Sequence, residues 1–357
     1  MPDVQVVVIG GGPAGAAAAI SARQYGLSVT LIEQQAFPRH RPGESLHPGV
    51  EPVLLQLGLT PEWLSRFSRF SGHWQEVGGD RHFQPFGRDA AGPWQGFHIP
   101  RAALDQKLLQ VAAELGAVVI QPCKASAISP LANGYSIHTV AHGDITADIV
   151  IDASGARHWL SRQFNHAVTP YSQPLYARYG YVKHDSQAGY APCFKADANR
   201  WLWTAAINNE QLHWTQLAFS GSPADFTFIE NKVFPSKAKK IPIHLLKQPP
   251  VELNNTQTIG AIRGADVTWR KAEQCAGRAF FKVGDAGFVL DPASSHGVLK
   301  ALMSGIYAAY MGSQLLQGRL SAEQTQECYQ VWMDEHFNSD KKVLSDFYAG
   351  LSAIGHL

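Results

Sequence analysis

The sequence predicts a mixed α/β fold, in which a parallel-sheet unit is interrupted by an antiparallel sheet and followed by C-terminal helices. Three observations carry this. The chain opens with a β-branched run, a glycine-rich turn and an alanine-rich stretch, "VVVIGGGPAGAAAAISA" from Val6 to Ala22. Between residues 171 and 278 the texture changes to short aromatic or β-branched runs separated by turn residues. The last stretch, "SAEQTQECYQVWMDEHFNSDKKVLSDFYAGLSAIGHL", reads as one or two amphipathic helices. The expected organisation is a discontinuous first domain over residues 1–170 and 279–320, a sheet domain over 171–278 and a helical segment over 321–357.

In the first domain, Val4 to Ile9 reads as a buried parallel strand and Ala16 to Tyr25 as a helix. Gly10, Gly12 and Gly15 stand between them in GxGxxG spacing. Gly10 suits a tight turn, Gly12 lets backbone approach a pyrophosphate, and Gly15 permits close helix–strand packing. Ala14 falls in the same turn, where helix amides and a positive dipole end face an anion. A second strand, "SVTLIE", ends at Glu33, where the adenosine ribose hydroxyls of a dinucleotide need an acceptor. This is a Rossmann-like dinucleotide site. No second strand–GxGxxG–helix unit follows, so no separate domain for resident NAD(P)H is expected.

Composition narrows the partners. The 357 residues are 45% hydrophobic and 17% charged with net charge +1, and no basic stripe stands out, which argues against nucleic acid. No run of apolar residues is long enough to span a membrane. An apolar strand beginning at Val4 leaves no room for a signal peptide. Cys123, Cys193, Cys275 and Cys328 lie far apart with no CxxC pair, so neither a metal site nor a disulfide framework is expected. The expectation is a cytoplasmic protein.

Further segments follow in order. "RHRPGES" spans Arg39 to Ser45, and "IPRAALDQKLLQVAAELGA" reads as a helix led by Arg101. "ADIVIDASGARHWLSR" gives a strand ending at Asp152, and "FFKVGDAGFVLDP" gives a strand, Gly284–Asp285 and a loop before a helix near Gly297. The set, in this order, resembles the FAD-dependent monooxygenase superfamily of aromatic hydroxylases, flavin halogenases and geranylgeranyl reductases. The resemblance implies FAD. It places Glu33 on the adenosine ribose, Arg101 on the pyrophosphate or ribityl region, Ala125 at adenine and Asp285 on the ribityl chain. Gly297 and Val298 would present their amides to the flavin pyrimidine edge. The positive end of their helix would stabilise negative charge on reduced flavin. Arg41 either contacts a cofactor phosphate or faces water.

In that superfamily an antiparallel sheet roofs the flavin and holds substrate against it. Here "LYARYGYVKHD", "RWLWTAAI", "LHWTQLAFSG" and "TQTIGAIRG" would form it, with Trp201 and Trp203 as candidate substrate-facing residues. Trp201, Trp203 and Ile207 are similar to the WxWxIP signature of flavin halogenases, but Ala205 and Ala206 replace its Ile-Pro. Those halogenases use a lysine in the N-terminal third, and this chain has none before Lys107. Around "SRFSGHWQEVGGD" there are arginines and His73 but no amine, so halogenation is not expected. Geranylgeranyl reductases carry a cysteine segment after the second strand; "RPGESLHPGVEPVL" has no thiol.

"GESLHPGVEPVLLQLGL" together with "DPASSHGVLKALMSG" looks like the smaller flavoproteins that mature tryptophylquinone enzymes. The implied activity is oxygenation of a tryptophan side chain in a precursor protein, using O₂ and an external reductant, either transient NAD(P)H or a reductase. A small-molecule aromatic hydroxylase and a flavin-bearing assembly chaperone without turnover are the alternatives. Such chemistry needs few acid–base residues. The candidates are His296, just before the flavin-facing helix, and His47, after the GES turn, because imidazole titrates near working pH.

Overall fold

The structure, a computed structural model, describes residues 4–184, 191–197, 200–218 and 246–354. Val4–Ile9 pairs in parallel with Val29–Ile32 on one side and Gly143–Asp152 on the other. Val118–Ile120 and Phe280–Lys282 extend this parallel core outward. The strands are near-continuous apolar runs because helices cover them. The helix Pro13–Gln24 begins earlier than its apolar run suggests, since the fixed φ of proline suits the first helical position. Its small residues are buried from Pro13 through Ala22, which lets Gly297–Leu316 and Arg101–Glu114 pack closely on it.

The second large sheet has seven strands, in the order Thr258–Asp266, Tyr176–Lys183, Gln211–Ala218, Arg200–Ala206, Cys193–Asp197, Gly72–Val77 and Asp80–Pro85. Its pairings are antiparallel except that Cys193–Asp197 runs parallel to Gly72–Val77. Two strands therefore come from residues 72–85, outside the 171–278 range expected for the sheet. Asp80–Pro85 is exposed along its whole length, so no apolar alternation marks it in the sequence. Phe219 to Gly221, the end of one anticipated strand run, lie outside the described residues.

Register decides what each face of this sheet meets. Gln75, Phe194, Trp203, Thr215 and Tyr179 form one row across the strands, on the face turned toward the nucleotide-binding unit. Ala196, Trp201, Leu217 and Ala177 form the next row on the same face. The C-terminal residues form a single 33-residue helix, Ala322–Ile354, and its Leu344, Tyr348 and Leu351 cover this second row. Among the described residues no helix is long and apolar enough to cross a membrane.

One buried network ties the three parts together. The Trp201 indole N–H donates to Tyr348 Oη at 2.9 Å, and the Trp269 indole N–H donates to Asp291 Oδ2 at 2.6 Å. Tyr348 hydrogen-bonds Asp291 in turn, and Asp291 Oδ1 accepts the Ala293 N–H at 2.9 Å. Burial pushes the Asp291 carboxyl up to about 6 despite these hydrogen bonds. A raised folded-state value means that Asp291 contributes stability below its unfolded pKa which is lost as pH rises through about 6. Asp291→Asn is therefore expected to gain stability relative to wild type between about pH 4 and about pH 7. Urea midpoints across that range check this, and a difference independent of pH overturns it.

Candidate active site

The glycine turn is built as the spacing implies. Gly10 has φ +111°, and a Cβ there would lie 2.3 Å from the Ala153 carbonyl oxygen. At Gly15 a Cβ would lie 1.9 Å from the Gly10 carbonyl oxygen, so the helix could not approach the strand. At Gly12 the space is open except for Arg39 Nη2 at 3.3 Å. Glu33 Oε2 accepts the Gly11 N–H at 2.7 Å and Oε1 accepts the Gln35 N–H at 2.8 Å, which fixes the carboxylate beside the turn. Ala14 is buried, where it limits the space beside Gly284, and Ala125 opens the strand Ala125–Pro130.

Four charged side chains cluster at this turn, and the sequence reading found only two of them. Arg101 donates to both carboxylate oxygens of Asp105, at 2.9 and 3.1 Å, and to the Pro42 carbonyl at 2.9 Å. Arg39 lies 3.9 Å from Glu33 and 3.8 Å from Asp105, and its Nε is buried with no partner among the described residues. Burial pulls the Arg39 guanidinium below its ordinary value, and the two carboxylates oppose that shift. Arg41 instead points outward to Gln35 Oε1 at 3.3 Å. Asp105 follows Arg101 by four residues, the helical spacing of an ion pair, and that signal was legible. Nothing local marks Arg39.

Across the crevice, Asp285 faces open space beside the helix Gly297–Leu316. His296 caps that helix without a side-chain hydrogen bond, so the first-turn amides of Gly297 and Val298 stay available. A Cβ at Gly297 would meet nothing within 4 Å. His296, Lys300, Ser294 and Asp340 line the same cleft, with Lys300 Nζ 3.4 Å from Asp340. The sequence reading did not find Lys300.

The structure brings the two candidate histidines together, with ring centroids 5.0 Å apart. The Gly49 N–H donates to His47 Nδ1 at 3.1 Å, so the His47 hydrogen sits on Nε2. Burial holds both imidazoles below their ordinary value; His296 adds to the effect on His47. Phe86 packs edge-on to His47 at 5.6 Å and lies 6.2 Å from His73, and His73 lies 5.7 Å from Trp203. A wall of rings thus runs from the helix start to the sheet.

The two candidate tryptophans part company. Trp203 is half-buried beside His73, but Trp201 is 1% exposed, with its N–H engaged by Tyr348. Trp201 is core, a correction to its expected place in the substrate wall. Period-two alternation put both on one face, and the C-terminal helix then covered one row of it. On the same face, Glu44 accepts a hydrogen bond from Tyr181 and lies 3.8 Å from His213 Nδ1. This buried contact joins the sheet to the Arg39–Ser45 segment. Among the described residues no three His, Cys, Asp or Glu side chains are grouped to hold a metal.

Comparisons with known proteins bear on the fold and its cofactor. The family described as pyridine nucleotide-disulphide oxidoreductase matches residues 4–62. A tryptophan 2-halogenase of Chondromyces crocatus is 26% identical over 97% of this chain and 68% of its own. The solved structure of a point mutant of the halogenase PltM in complex with FAD has a TM-score of 0.78 at 16% identity, covering 99% of this chain and 78% of that one. The peptidyl tryptophan dihydroxylase QhpG, essential for tryptophylquinone cofactor biogenesis, has a TM-score of 0.71 at 20% identity, covering 98% and 76%. Among curated relatives the chain spans from 64% to 78% of their length. The chain is an FAD-dependent oxidoreductase.

The residues present fit that cofactor. Gly12 and Gly297 leave room where backbone must approach it, and the orphaned Arg39 Nε offers a buried cationic donor beside the glycine turn. Arg39→Met is expected to weaken FAD retention by about tenfold or more, while Arg41→Met changes it little. Equilibrium dialysis of FAD against both variants checks this, and equal effects overturn it. Lys300 holds His296 down while Asp340 raises it. Because the folded value is lowered, the neutral state persists below the ordinary pKa and is lost as pH falls through the folded one. Lys300→Met should move the His296 titration to higher pH, read by NMR of the ring protons; a downward move refutes it.

Proposed function

We propose that the protein is a monooxygenase that inserts oxygen into an aromatic side chain, a tryptophan carried by a precursor protein. Glu33, Arg39, Arg101, Asp285 and the Gly297 and Val298 amides would hold FAD, with the seven-stranded sheet as the substrate roof. When bound, FAD supplies the reduction of O₂. One oxygen atom enters the ring and the other leaves as water, with two electrons from an external reductant. His47 offers its Nε2–H beside His296, and both stay neutral, so either can hold or accept a proton at the transferred oxygen. Phe86, Trp203 and the sheet exclude water from the reacting ring.

The observation that carries this reading is the make-up of the wall facing the crevice from residues 72–98. Its rings are those of His73 and Phe86, and the sequence has no lysine before Lys107 to carry a hypohalous acid. The fold likeness to QhpG supports a peptide-borne tryptophan. A halogenating enzyme is the second reading, favoured by the tryptophan 2-halogenase relative and by Lys300 in the cleft.

One experiment separates them. FAD-loaded protein is given a reductant, O₂, chloride, bromide and a tryptophan-containing peptide, and the product is weighed. Gain of oxygen without halogen is the expected result, and it should survive removal of halide. A halogenated ring would replace this reading with the second. His296→Ala should keep its FAD and lose about 10²-fold in oxygenation rate.

A further inference from the structure

His73 holds a nitrogen that the fold leaves unused. Its Nε2 lies 3.1 Å from Gln75 Nε2. An amide nitrogen can only donate, so His73 Nε2 accepts and the ring hydrogen sits on Nδ1. Nδ1 is buried and has no partner among the described residues. Buried donors are nearly always satisfied, so an unsatisfied one beside a crevice points to an absent acceptor.

Its surroundings define that acceptor. His73 shares its face with Gln75 and Trp203 and meets Phe86, which meets His47, which meets His296. The orphaned N–H therefore lies at the far end of the ring-lined wall from the helix start. Burial holds His73 below its ordinary value, with His82 adding to the effect, so the ring is neutral. A neutral buried donor matches a neutral acceptor; an ionised carboxylate there would lose its hydration with no countercharge. An amino-acid residue within a chain carries amide carbonyls a few bonds from its ring.

We propose that His73 Nδ1–H anchors substrate by donating to an amide carbonyl oxygen beside the aromatic ring. The site thereby selects a ring borne on a peptide over the bare ring. This rests on the reading of the crevice as an aromatic oxygenation site and names the substrate feature it recognises.

The test measures binding to FAD-loaded protein without turnover, by calorimetric titration of N-acetyl-tryptophanamide and of 3-methylindole, which has no carbonyl. Wild type is expected to prefer the amide by roughly five- to tenfold, the worth of one hydrogen bond. His73→Ala should abolish the preference, the amide losing more affinity than 3-methylindole. His73→Asn keeps an N–H near the Nδ1 position and should retain most of it. FAD content and thermal midpoint establish that each variant is folded. The proposal is overturned if wild type shows no preference, if it binds neither probe, or if His73→Ala weakens both probes equally. Failure of the oxygenase reading looks different: the preference and its loss in His73→Ala persist, yet no oxygen enters the amide.

Discussion

Everything at this site hangs on how the buried Asp291 carboxylate is satisfied. A carboxylate out of contact with water is tolerable only when surrounded by donors, and here the donors come from separate parts of the chain. Trp269 brings the link into the sheet domain, Tyr348 brings the C-terminal helix, and Ala293 brings the loop itself. The loop then runs directly into His296 and the helix Gly297–Leu316. One set of hydrogen bonds thus fixes where the helix start points and where His296 sits. Removing a partner leaves a buried group unsatisfied, at a cost of about 1–3 kcal/mol.

Charge is distributed unevenly around the crevice. At the glycine turn, Glu33, Arg39, Asp105 and Arg101 alternate in sign, so each buried charge has an opposite neighbour. The end at the helix start and the sheet differs. His47, His73, His213 and His296 are all held down by burial and stay neutral near pH 7. Neutral imidazoles give hydrogen bonds without a strong field of their own, so the charge there is set by the helix dipole at Gly297 and by the Lys300–Asp340 pair.

Local features of this architecture were legible in the sequence and long-range ones were not. GxGxxG, the strand before it and Glu33 declare themselves because a tight turn and its ligand lie within a few dozen residues. His47 and His296 were singled out separately, and nothing in the chain showed that they would touch. The Tyr181–Glu44–His213 contact joins the seven-stranded sheet to the Arg39–Ser45 segment and has no local signature. Alternation correctly put Trp201 and Trp203 on one face, but it cannot say which helix later covers part of that face. Strand 80–85 escaped because an exposed edge needs no apolar pattern, and strand 72–77, paired on both sides and half-buried along most of its length, shows no clean alternation.

Two of the buried nitrogens without a partner among the described residues bear on the proposed reading of the crevice. Arg39 Nε lies by the glycine turn, and His73 Nδ1 lies on the sheet wall. They differ in kind: the first belongs to a cation between two carboxylates, the second to a neutral ring among aromatic side chains. A single ligand would not need both chemistries at such separated places. A cationic donor beside a glycine turn suits a phosphate-bearing cofactor. A neutral donor among rings suits an uncharged polar group attached to an aromatic one. On the proposed reading, the two nitrogens serve two different occupants, a phosphate-bearing cofactor at Arg39 and an aromatic substrate at His73.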